Sequence, residues 1–134
     1  MFNFEERLKK LFFNCANLLL VCTQSGFIGV KNKFEEYSSN DVIYDYLKIG
    51  VQAIVDGKPP ELLSMIMRCE EMKWIRDTNK TSDDLTLIII IQQILHYMHV
   101  GDIDGFLNLV HEYYPREEYS EIYYLFSDKD TTIK

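Results

Sequence analysis

His96 and His99 stand three residues apart, a spacing that sets two imidazoles on one side of a helix and begins a metal site. A zinc or iron centre needs further ligands converging on the same point, and no cysteine or carboxylate is arranged locally to supply them. The pair therefore reads as ordinary histidines of a helix surface, and a metal-dependent enzyme would rest on them alone. His111-Glu112 does not extend to H-E-x-x-H, because Pro115 stands where the second histidine belongs. Cys15 and Cys22 fall two turns apart on one helix face and read as core thiols, with no base or orienting group to make either a nucleophile. Ser25-Gly26 lacks the G-x-S-x-G context, and no glycine-rich phosphate loop follows a predicted strand. The neighbours Glu35-Glu36, Glu70-Glu71 and Glu117-Glu118 point about 100° apart on a helix, so each pair marks a solvated face rather than an acid/base dyad. The expectation is a non-enzymatic protein with no catalytic residue, no bound metal and no cofactor.

Binding residues are easier to nominate. Trp74 follows an apolar seam and is flanked by Lys73 and Arg76, as either a core-edge residue or an exposed aromatic anchor at an interface. Tyr113, Tyr119 and Tyr123 belong to a tyrosine-rich C-terminal third and are the candidate pocket of a helical receptor for a small ligand or peptide. The 134-residue chain has 21 acidic against 14 basic residues and a net charge of −7, which repels phosphate backbones and argues against nucleic acid. Three cysteines without a C-x-x-C pair, and no signal peptide, point to a reducing compartment and a cytoplasmic address. The longest uninterrupted apolar runs, Leu18–Val21 and Leu87–Ile91, fall far below the roughly 20 residues of a spanning helix, so no membrane span is expected.

The elements that position these residues are helices throughout. Apolar residues recur at three- and four-residue steps from Phe4 to Cys22, after Asn3 and Glu6 at capping-box spacing, and this helix is predicted to end before Gly26. A shorter helix covers Phe27 to Tyr37, with Gly29 inside it, where valine would be neutral or mildly favourable. Ser38, Ser39 and Asn40 read as a break and a new cap. The third helix runs from about Asp41 to Val55 and stops at the left-handed turn of Asp56-Gly57. Pro59 or Pro60 opens the fourth, whose Leu62, Met65, Cys69 and Met72 form the seam predicted to be buried. Thr81 or Ser82 caps an apolar central helix, with Asp83 and Asp84 in its first turn, that ends at Gly101-Asp102. A short helix with Phe106 and Val110 follows, then a last one opened by Pro115, with the tail after Ser127 frayed. The prediction is all-α: a compact array or bundle of about six to seven helices in a single domain over residues 1–134, a composition that also allows lobes 1–76 and 83–127.

Residues from Leu8 to Met72 resemble the cytoplasmic segment of the flagellar motor stator family of the MotA type. The resemblance runs through Cys15-Ala16 to Gly26-Phe27-Ile28-Gly29, and then through Leu47-Lys48-Ile49-Gly50 to Val55-Asp56-Gly57-Lys58-Pro59-Pro60-Glu61. Where that family carries an arginine before the turn glycine and a glutamate after it, charges implicated in gripping the rotor, this chain has Thr23 and Lys31. The family's channel helices have no counterpart in the polar stretch Asp77–Asp84. The resemblance implies a cytoplasmic helical adaptor or regulator whose partner is another protein, a flagellar motor component, engaged through Thr23, Gly26, Gly29 and Lys31, and Trp74 is a further candidate partner-binding residue on its own chemistry. An oligomer is compatible with the same reading.

Overall fold

The computed structural model describes residues 3–37 and 40–133, with side chains as far as 127. Six helices and no strand occur among them: α1 Phe4–Glu35, α2 Ile43–Val55, α3 Pro60–Arg76, α4 Ser82–Val100, α5 Ile103–Tyr113 and α6 Ser120–Ile133. The protein is all-α. α4 lies at the centre, against α1, α2, α3 and α5, while α2 also packs on α1 and α3, and α6 on α1.

Local chemistry sets most of the ends. The Asn3 side chain accepts the Glu6 amide at 2.8 Å and opens α1. Thr81 and Asp84 exchange reciprocal bonds at the start of α4, a full capping box. α2 and α4 close on Gly57 and Gly101, at φ 78° and 71°. At each, the next amide reaches back five residues, Lys58 to the Ala53 carbonyl and Asp102 to that of Tyr97, so the last carbonyls of the helix find donors. Two boundaries differ from expectation. Residues 115–118 form a turn in which Glu118 bonds back to Pro115, so α6 starts at Ser120 instead of Pro115, and its backbone stays helical to Ile133. α2 starts at Ile43, two residues later than expected, because the Asp41 carboxylate takes the Ile43 amide at 3.2 Å. Of the expected break, Ser38 and Ser39 lie outside the described residues.

α1 is broken at Gly26, whose φ of 73° and ψ of −170° are not helical. The Tyr37 hydroxyl donates to the Asn14 carbonyl at 3.2 Å. At about 1.5 Å rise per residue, each of these residues would lie some 16–18 Å from Gly26 along its arm. They can meet only if the arms double back into a helical hairpin. Gly29, three residues past the bend, is crowded by the first arm: a Cβ there would lie 2.7 Å from Ser25 Cβ and 3.0 Å from Val21 Cγ1. The expectation that valine is harmless at this position is therefore overturned by steric overlap.

The facing of α3 is also reversed. Leu62, Met65, Cys69 and Met72 look outward, and the helix buries Leu63, Met67 and Trp74 instead. Both sets recur at helical spacing. The second prevails because it carries the largest ring and because the Tyr46 hydroxyl, buried in α2, donates to the Met67 carbonyl at 2.7 Å. By length and composition α1 would suffice to cross a membrane, against the expectation from uninterrupted runs: an 18-residue window reaches a mean hydropathy of 1.5. Asn14 and Asn17 break its runs without making the helix polar on average. In this fold Leu8, Leu11, Phe12, Cys15, Leu18 and Leu19 of α1 are core residues.

Candidate functional site

Two of the three left-handed glycine turns come together. Gly26 at the bend of α1 and Gly101 at the end of α4 line one shallow groove of about 260 Å³, walled by Thr23, Phe27, His99 and Val100. Capping chemistry builds one side of it and the hairpin the other, with the Phe27 and His99 rings 6.2 Å apart. Ile28 and Val100, at 75% and 53% exposure, stand out of this end of the molecule. The surroundings are mostly apolar: Thr23, whose hydroxyl donates to the Leu20 carbonyl at 2.8 Å, and His99, whose Nδ1 is buried without a hydrogen-bond partner among the described residues, are the polar side chains of the lining. Cys22 also lines the groove, and burial pushes its thiol pKa up, the opposite of what a cysteine nucleophile needs. The geometry suits reception of an apolar side chain.

Of the other candidates from the sequence, Gly29 lies against Ser25 and Val21 with no room for a Cβ, and Lys31 is exposed on the second arm, outside the groove lining. Trp74 is not an exposed anchor. It is 8% exposed, edge-on to Tyr46 at 5.5 Å, with the Lys80 ammonium 4.6 Å above its ring. Burial on the α2 side satisfies its area, and the lysine covers the remaining face. Asp56 and Gly57 form the α2 turn as predicted, away from the groove lining.

The three tyrosines do not form one pocket. Tyr119 is buried and its hydroxyl bonds the Lys9 carbonyl, tying the start of α6 to α1, and burial raises its pKa to about 12. Tyr113 is largely exposed and leans on Phe12 at 5.9 Å. Tyr123 alone lines a groove, an open one of about 530 Å³ between α5 and α6, with Arg116 5.3 Å from its ring. Tyr113 ends α5, Tyr119 lies in the turn before α6 and Tyr123 lies within α6, so the three rings are carried by different segments.

His96 and His99 do share a small cleft of about 90 Å³ between α3 and α4, with Ser64 and Gln92. Among the described residues no group of three potential metal ligands occurs there or elsewhere. Of the acidic pairs, Glu70 meets Lys73 at 2.9 Å, while Glu71 accepts from Gln92 at 2.6 Å and is less solvated than expected.

Sequence reasoning missed two polar clusters whose members lie far apart in the chain. Arg7 bonds Asp41 through Nε and Nη2 at 2.9 and 2.8 Å and Asp84 through Nη2 at 2.5 Å, pinning α1 to the start of α2 and of α4. Gln92 bridges the Tyr46 hydroxyl and Glu71. Burial raises the Tyr46 pKa well above its ordinary value, against the opposing effect of Gln92. No protein-family model, curated protein or solved structure matches the chain, so its class is set by its own architecture: an all-α array with an apolar groove at one end and an apolar stripe along α3.

Proposed function

We propose that this chain is a non-enzymatic helical protein-interaction module that receives an apolar side chain of a partner protein in the groove between the Gly26 and Gly101 turns. The observation that carries this reading is that groove, with Ile28 and Val100 exposed on the same end of the molecule. Large apolar side chains left in water beside a concave apolar surface are the mark of an interaction site. The stator-like text of the Gly26–Gly29 segment supports a flagellar motor component as the partner and the cytoplasm as the place of contact. Thr23 and Lys31, in place of that family's charges, make the grip here apolar rather than ionic. Pull-down from the source cell with wild type, Ile28→Asp and Val100→Asp as baits tests this. Both variants are expected to keep the wild-type melting temperature and to lose the captured protein. Capture unchanged in both would end the reading.

A receptor for a small ligand or peptide is a second reading. It is favoured by the Tyr123 hydroxyl, which is buried without a hydrogen-bond partner among the described residues and lies on a residue lining the α5–α6 groove. Thermal-shift screening of wild type against Tyr123→Phe tests it, with ligand-induced stabilisation expected in the wild type only.

A further inference from the structure

Four of the nine large apolar side chains exposed among the described residues lie on α3: Leu62, Met65, Met72 and Ile75. With the exposed Cys69, Leu62, Met65 and Met72 follow a three-four-three step, the narrow seam by which one helix packs along another. It lies on the side of α3 opposite Leu63, Met67 and Trp74, so no other part of the described fold covers it. We infer that the outer face of α3 docks a second helix, supplied by a different protein, whose apolar seam is flanked by acidic residues.

Charge selects that occupant. The exposed charged residues bordering the stripe are Arg68 on one flank, Lys73 on the other, Arg76 at its end and Glu61 at its start, a basic rim on a chain of net charge −7. Lys73 is held only by an exposed bond to Glu70, which screening keeps weak and which an incoming carboxylate can displace. A second copy of α3 fits poorly in either direction. Antiparallel pairing that buries all four stripe residues sets Arg68 beside Arg68 of the other copy, and parallel pairing sets Arg68 against Lys73. A bilayer surface fits poorly too, because the stripe is narrow and carries no aromatic residue, Trp74 being turned inward.

The probe is a labelled helical peptide with leucine seam positions and glutamate flanks, compared with a lysine-flanked twin by fluorescence anisotropy on the full chain. The acidic peptide is expected to bind at least about tenfold tighter than its twin, with affinity falling as salt rises. Met65→Glu and Met72→Glu, at 62% and 54% exposed positions, are expected to abolish binding without moving the melting temperature. Arg68→Glu combined with Lys73→Glu is expected to reverse the preference between the two peptides. Equal binding of both peptides, or a double variant that keeps the original preference, overturns the inference. So does sedimentation showing a dimer that Met65→Glu dissociates, or capture of the chain by phosphatidylserine vesicles that the same variant prevents. Val100→Asp leaves peptide binding unchanged in every case, which separates failure of this face from failure of the Gly26–Gly101 groove.

Discussion

Arg7 joins three segments through one guanidinium. Its bonds to Asp41 and Asp84 raise its pKa, with Asp41 the larger cause, against the lowering effect of burial. Burial pushes the Asp84 carboxyl up, but the Thr81 amide and Arg7 outweigh it and hold the group below the usual carboxylate range. A carboxyl depressed in the folded state stabilises fully above its unfolded pKa of about 3.9, and that contribution fades as pH falls through the lower folded value. Replacing Arg7 by methionine keeps the stem packed while leaving two mostly buried carboxylates facing each other. The expected loss is about 3 kcal/mol at neutral pH, and the gap from wild type is expected to narrow below about pH 4. Urea denaturation of both proteins across that range measures it; a gap independent of pH would mean that the guanidinium acts by packing alone. A steric clash defines Gly50, where a Cβ would lie 2.2 Å from the Cδ1 of the buried Leu95, so α2 and α4 meet there without room for a side chain.

Helix ends and helix faces were not equally legible in the sequence. The caps at Asn3 and Thr81 and the stops at Gly57 and Gly101 depend on residues within one turn of each other, so their spacing already carried the information. The facing of α3 did not, because Leu62–Met72 and Leu63–Trp74 both satisfy the helical period and only packing against Tyr46 chooses between them. Likewise Gly26 and Gly101 were each readable as turns, but their sharing one groove depends on the hairpin of α1. These glycines differ in a way that substitution exposes. Gly57→Val and Gly101→Val are each expected to cost about 1–2 kcal/mol through positive φ. Gly29→Val is expected to cost about 1–3 kcal/mol through overlap with Ser25 and Val21. Asparagine, which tolerates the left-handed region, is expected to recover much of the loss at Gly57 and Gly101 and little at Gly29. Midpoints of chemical denaturation for the six variants test this directly, and equal rescue at all three sites would refute the distinction.

The helices are bound to one another through α4, which is apolar on nearly every side and packs against four others. α1 closes the assembly by meeting α2 on one flank and α6 on another, where the hydroxyls of Tyr114 and Tyr119 reach the Glu5 and Lys9 carbonyls. Mutual burial of this kind predicts that the arrangement opens as one unit rather than helix by helix. The three thiols then act as depth gauges with separate clocks. Cys69 reacts with a maleimide at a rate set by whatever covers α3. Cys22 follows the local breathing of its groove. Cys15, wholly buried with its pKa raised by that burial, is expected to wait for global opening, so that its labelling rate tracks denaturant with the full slope of unfolding. A shallow denaturant dependence at Cys15 would reveal that the α1 hairpin detaches before the rest, which makes a single buried sulfur a reporter of the order in which the molecule comes apart.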